Sequence, residues 1–267
     1  MPNELEIVSE AFAYLDISDP LVAWLAYRGE LVTARRTHPN TLSFWATGYL
    51  QHQALNARRF RGELALEEVR DEFPDTVSRL EGFYVFPDEA SARAAAAHWG
   101  GPFNPNHLAE VGIVVGSRTS THDAEWISNK LGDDFDAAWM RAYLRGEPRG
   151  EPPIWETLVD GRALVFGTSL RQAAYEVVRA EWPQSLALLE LSRVAPYLDS
   201  ELGLITAFVV NDDRGKRVRY YLNFVDSENP DFLKRLREYT GPKNTRDLNA
   251  SSELILPNLT HREFQLG

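Results

Sequence analysis

The chain has no cysteine among its 267 residues. This removes a disulfide framework, a thiolate nucleophile and any cysteine-based zinc site together. No window approaches the roughly 18 consecutive apolar residues that read as a membrane span. No GxGxxG follows a strand-like run, no Walker lysine motif occurs, and HExxH and GxSxG are both missing. Basic residues are in the minority, 28 Lys and Arg against 39 Asp and Glu, giving a formal net charge of −11. A field of that sign repels phosphate backbones and disfavours general nucleic-acid binding. The first ten residues are acidic and lack the basic-then-apolar pattern of a signal peptide. The expected setting is therefore the cytoplasm, without membrane association and without a bound metal.

Hydrophobic residues make up 44% of the chain and charged residues 25%, the composition of a water-soluble globular protein. The length falls between one large domain and two small ones. A change of character near residue 200, where β-rich runs begin, places the expected boundary between residues 1–200 and a smaller α+β part, 201–267. One local exception to the acidic balance is Arg28, Arg35, Arg36, Arg58, Arg59 and Arg61. They read either as a solvated arginine-rich face or as an anion site.

Hydrophobic spacing gives the remaining segments. Leu5, Val8, Phe12 and Leu15 predict a helix over residues 4–16. The dense apolar run of residues 21–32 reads as a strand with Arg28 near its end, with a short buried helix as the competing reading. Helices are expected over residues 42–60, with His52 on the apolar stripe, and over 66–72. Residues 76–86 read as a strand that starts in small hydroxyls and ends in aromatics. Asp88 should cap an alanine-rich helix over 90–99. A buried strand over 108–115, a polar loop over 117–121 and helices over 122–131 and 134–144 follow. Thr168 should cap a further helix, and Pro183 should open the next in its first turn. A hairpin over 204–225, a helix over 231–239 and a last strand over 252–256 complete the pattern.

The most informative stretch is residues 153–167. Asp160-Gly161 lies between two short β-rich runs and predicts a hairpin with a type I′ turn. Glu156 stands near the start of the first run, between Trp155 and Leu158. It is either an outward-facing strand residue or a carboxylate kept in a cleft for chemistry. With nucleophile, metal and phosphate-loop motifs missing, acid catalysis or electrostatic stabilisation by a carboxylate is the chemistry that remains.

Three quoted stretches carry a resemblance: Tyr27-Arg28-Gly29 early, Phe73-Pro74 with Val77-Ser78-Arg79 ahead of an aromatic run and small-residue helix, and Trp155-Glu156 late. Together, over residues 21–166, they resemble the ADP-ribosyltransferase-like fold, in particular a poorly characterised bacterial branch. The resemblance implies an α+β protein with a split, mixed β-sheet that clamps NAD between its halves. It implies Arg28 as the group holding the NAD ribose or phosphate and Ser78 as a supporting hydroxyl. Glu156 is implied as the carboxylate that bonds the nicotinamide ribose and stabilises an oxocarbenium-like transition state. The expected activity is transfer of ADP-ribose from NAD to an unidentified acceptor. The alternatives are an NAD glycohydrolase, or a non-catalytic binding protein of toxin, defence or phage association using the same cleft. The sequence departs from the pattern in having Val77-Ser78-Arg79 in place of Ser-Thr-Ser, and Ile154 where many arginine- or asparagine-modifying members carry Glu or Gln.

Overall fold

The computed structural model describes residues 6–33, 41–51, 53–98, 103–213, 215–242 and 253–266. In chain order its first half comprises β1 (Ile7–Tyr14), α1 (Pro20–Arg28), β2 (Glu30–Val32), β3 (Thr41–Leu42), α2 (Phe44–Gln51), α3 (Gln53–Arg70), β4 (Phe83–Val85) and α4 (Glu89–Ala96). Next come β5 (Leu108–Val114), β6 (Arg118–Asp123), α5 (Ala124–Lys130), α6 (Ala137–Leu144), β7 (Trp155–Asp160) and β8 (Arg162–Val165). The last elements are α7 (Thr168–Glu181), α8 (Leu186–Val194), β9 (Ile205–Asp212), β10 (Gly215–Leu222), α9 (Pro230–Glu238) and β11 (Phe264–Gln265). The architecture is α+β. Its sheets run β1-β5-β8-β2, β4-β7-β6 and β11-β10-β9-β3. Every ladder among the described residues is antiparallel, so the sheets are not mixed as expected.

The stretch expected to be a hairpin is not one. β7 pairs with β4 and β6, whereas β8 pairs with β2 and β5, so the chain passes Gly161 without reversing. β5–β6 and β7–β8 form one long antiparallel ribbon that leaves the four-stranded sheet and enters the three-stranded one. Ile113 pairs with Ala163 and Arg118 with Asp160, so four residues on one path face two on the other. The surplus creases the ribbon as a bulge does, by bending the strand that carries the extra residues. Ser117 fastens the crease: its Oγ accepts from Arg162 N at 3.0 Å and donates to Arg162 O at 3.2 Å. The same two sheets also meet at one bridge, where Phe12 and Phe86 exchange backbone hydrogen bonds of 2.8 and 2.7 Å.

Other expectations shift for identifiable reasons. Residues 7–14 form a strand rather than a helix, because pairing with β5 turns the small residues Ala11 and Ala13 inward and leaves Val8 exposed. Residues 20–28 form a helix, not a strand. Asp19 caps it by accepting from Leu21 N, Pro20 opens it, and Gly29 closes it at a left-handed φ of 82°. Of the expected 76–86 strand only Phe83–Val85 and the bridge residue Phe86 pair as β structure; turns lie before them, with Gly82 N bonded to Ser78 O. The polar stretch from Arg118 is strand β6, its exposed side chains being those of an edge strand. Gly167, not Thr168, is the N-cap of α7, and no strand forms over 253–256. Asp88 does cap α4, accepting from Ser91 N, and the β9–β10 hairpin forms. His52, Arg35 and Arg36 lie outside the described residues.

The main core joins α1, α7 and α8 to the inward faces of β1, β5 and β8, and continues through Leu202, Ile205, Leu222 and Phe232 to Leu259. Trp24, fully buried, donates its indole N–H to Gly203 O at 2.8 Å. No helix among the described residues is long and apolar enough to cross a membrane.

At Gly161, φ is 154° and an added Cβ would lie 2.5 Å from Ser117 Cβ and 2.2 Å from its Oγ. Gly161→Ala is expected to lower stability by about 1–3 kcal/mol through overpacking, and Gly161→Val by more. Ser117→Gly in the same chain should recover part of the loss. Urea denaturation measures both effects, and an unchanged midpoint in Gly161→Val would refute the crease as a tight contact.

Candidate active site: a buried carboxylate and guanidinium cluster

Glu156 sits on β7, the middle strand of the three-stranded sheet, opposite His122 of β6. Its side chain is only 8% exposed, which a carboxylate tolerates when a cation and hydrogen bonds compensate it. Both are present. Arg79 NH1 donates to Glu156 Oε1 at 2.6 Å, and Tyr143 OH, on α6, donates to the same oxygen at 3.0 Å. Oε2 has no hydrogen-bond partner among the described residues and is not an occluded atom.

Arg79 is itself buried, at 4% exposure, and is held from three sides. Its Nε donates to Glu63 Oε2 at 3.0 Å and its NH2 to Glu63 Oε1 at 3.2 Å, so α3 grips one edge of the guanidinium with a fork. NH1 also donates to Tyr143 OH at 2.8 Å. The rings of Tyr84 and Tyr143 lie 4.9 and 5.6 Å from the guanidinium carbon, as cation–π partners. Tyr84 OH donates to Arg79 O at 3.0 Å and so fixes the loop backbone as well. Burial acts to lower the pKa of Arg79, but Glu63 first, then the tyrosines and Glu156, raise it well above the ordinary value. Burial drives Tyr84 and Tyr143 well above a normal tyrosine, with Arg79 pulling the other way. Both phenols therefore remain protonated donors.

His122 supports this group from behind. Its ring stacks on Tyr143 with centroids 4.4 Å apart, Nδ1 meets Tyr143 O at 2.8 Å, and Nε2 meets Ser120 Oγ at 2.8 Å. Burial lowers its pKa to about 4, opposed by the Tyr143 carbonyl, so the imidazole is neutral at pH 7. Next along β6, fully buried Asp123 accepts from the backbone N–H groups of Glu125, Arg149, Gly150 and Ile154. It caps α5 and ties down the chain that delivers Glu156 to β7.

Of the three expected site residues, only Glu156 belongs to this cluster. Ser78 is in the turn before β4 rather than on a strand; its Oγ donates to Glu67 Oε2 at 2.9 Å and accepts from Leu80 N. Among the described residues it adjoins the cluster through its chain neighbour Arg79. Arg28 is the last residue of α1, 1% exposed, paired with Glu30 and donating to Ser200 O at 3.2 Å. Glu30 also binds Arg162. Burial lowers the pKa of Arg28, with Glu30 opposing, and its Nε is buried without a partner. None of these contacts is shared with Glu156, so the structure does not bring Arg28 to it.

The residues that sequence reading missed are Arg79, Tyr143, Glu63 and His122. Arg79 stood inside the quoted Val77-Ser78-Arg79 triplet, where the hydroxyl drew attention and the cation did not. Glu63 is one acid among the basic residues of α3, and nothing in the sequence marks it as buried. One cavity among the described residues, about 480 Å³, is an open depression beside α4 lined by Glu89, Ala90, Arg93 and Ala94. No protein-family model matches the chain, and no curated protein matches it significantly.

Two predictions follow from the geometry. The folded pKa of His122, about 4, lies below the ordinary 6.5, so the unfolded chain binds the extra proton first as pH falls. Stability should therefore be full above pH 6.5 and fall by up to roughly 3 kcal/mol as pH drops toward 4. His122→Asn, which keeps a donor for Tyr143 O, should flatten that part of the profile; an equally steep decline in the variant would refute the assignment. Arg28→Ala should destabilise by about 3–5 kcal/mol, because it strips a buried ion pair of one partner. Denaturant unfolding checks it, and a variant within 1 kcal/mol of wild type would refute it.

Proposed function

We propose that the chain is an ADP-ribosyltransferase-like protein that takes NAD as substrate and transfers its ADP-ribose to an unidentified acceptor, with Glu156 stabilising the transition state. The observation that carries this reading is the asymmetric hold on Glu156: Oε1 is anchored by Arg79 and Tyr143, while Oε2 has no partner among the described residues. Departure of nicotinamide leaves positive charge on the ribose. A carboxylate fixed in advance in a low-dielectric setting stabilises that charge without reorganising when the reaction occurs. Arg79 and Tyr143 supply the fixing. The shape of the sheet supports the split-sheet reading as well, since a four-stranded and a three-stranded half meet at the Phe12–Phe86 bridge and share the creased ribbon. The gap between those halves is where this reading puts NAD.

In this reading Arg28 and Ser78 act as scaffold, Arg28 through Glu30 and Ser78 through Glu67. A second reading, a non-catalytic binding protein on the same fold, draws support from Arg79. A buried ion pair with Glu156 is also what a purely structural carboxylate would have.

Nicotinamide release from NAD, followed by chromatography with and without lysate, separates these readings. Glu156→Gln keeps the shape and hydrogen-bonding capacity of the side chain but removes the anion. Turnover is expected to fall about 10²- to 10³-fold. Release without transfer to any lysate component identifies water as the acceptor, hence a glycohydrolase. If the wild type binds NAD without releasing nicotinamide, or Glu156→Gln turns over at the wild-type rate, the catalytic assignment fails and the binding reading replaces it.

A further inference from the structure

The charge of the cluster does not balance. Among the described residues, the titratable groups around Glu156 are Arg79, Glu63, Tyr143, Tyr84 and His122. The two phenols stay neutral and His122 is neutral at pH 7, which leaves two carboxylates against one guanidinium. Glu63 takes two of the donor groups of Arg79, Nε and NH2, whereas Glu156 receives only NH1. At 2% exposure, Glu63 is too buried for water or salt to screen its charge. The excess negative charge is therefore felt at the unpartnered oxygen of the cluster, Glu156 Oε2.

We infer that Glu63 is a positioning residue that sets the charge preference of the site: by drawing off part of Arg79 it keeps Glu156 electron-rich, so that the site favours a cationic ring over a neutral one. The inference rests on the NAD reading above and deepens it. Oxidised NAD carries a pyridinium cation on the ribose carbon that Glu156 would face, whereas the reduced form has a neutral ring of nearly the same shape. At an effective dielectric constant of about 20, attraction between opposite unit charges reaches several ångströms and is strong enough to change affinity about tenfold, with no contact between Glu63 and the ligand.

The test is calorimetric titration of wild type, Glu63→Gln and Glu63→Asp with the oxidised and reduced dinucleotides at neutral pH. Wild type is expected to bind the oxidised form at least about tenfold more tightly. Glu63→Gln should bring the ratio close to one with a native circular dichroism spectrum, and Glu63→Asp, which restores the charge, should recover it. A merely structural role would weaken both ligands together and leave the ratio unchanged. An unchanged ratio in Glu63→Gln overturns the inference, as does a wild type without preference. If Glu63→Gln does not fold, the wild-type ratio decides alone, and a value of one or below overturns it. If neither dinucleotide binds, N-methylnicotinamidium and neutral nicotinamide are the probes. Selective binding of the cation, lost in Glu63→Gln, means that the NAD reading fails and the charge inference stands; binding of neither overturns both.

Discussion

Arg79 is a cation almost without access to water, and the arrangement around it follows from the need to compensate that charge. Desolvating a guanidinium is costly enough that a fold holding one must supply anions and acceptors from several directions. α3 supplies Glu63, β7 supplies Glu156, α6 supplies the Tyr143 hydroxyl, and the loop's own neighbour Tyr84 contributes a ring face. These segments are far apart in sequence. The guanidinium thus specifies how a helix, a sheet and a second helix meet, and the same contacts fix the aim of Glu156. Stability and the proposed chemistry depend on one group, so substitutions here need fold and turnover measured together.

The parts of the fold legible in the sequence were those fixed by local chemistry. Asp88 ahead of an alanine-rich run and the β-rich runs of the β9–β10 hairpin each act within a few residues, and both features form, whereas Pro183 opens a separate 3-10 turn, Pro183–Ser185, ahead of α8. α1 was misread although its Asp19-Pro20 start and Gly29 stop are in plain view. Seven of its nine residues are buried, so it presents no polar stripe for a 3.6-residue period to reveal. β1 misled in the opposite sense: its large residues fall at helical spacing, while the residues it turns inward are two alanines that add little to any pattern.

Of the five residues Glu156, Arg79, Tyr143, Glu63 and His122, only the first was legible in the sequence. Glu156 could be found because an acid within a β-rich run is conspicuous. Its partners could not, since an arginine in a loop, a tyrosine near a helix end and a glutamate on an arginine-rich helix look like surface residues until packing closes over them. Arg28 shows a related effect. The resemblance implied a ribose- or phosphate-holding group there, whereas the tertiary structure engages Arg28 with Glu30 and the Ser200 carbonyl, away from Glu156.

The crease in the long ribbon also governs which side chains share a face. Val111 and Ile113 lie with Val165 and Ala163 on the side that joins the main core, and Val159 of β7 belongs to that same core beyond the crease. Glu156 pairs with His122, and Leu158 with Ser120, on the opposite side. Alternation survives the bend because the surplus on the β5–β6 path is an even number of residues, the difference between four and two. One residue more or fewer there, unless absorbed as a further bulge, would invert all of β6 relative to β7 and carry His122 off the Glu156 face. Length variation at residues 114–117 is thus constrained by parity: an even change keeps His122 on the Glu156 face, and an odd one does so only where a further bulge absorbs it.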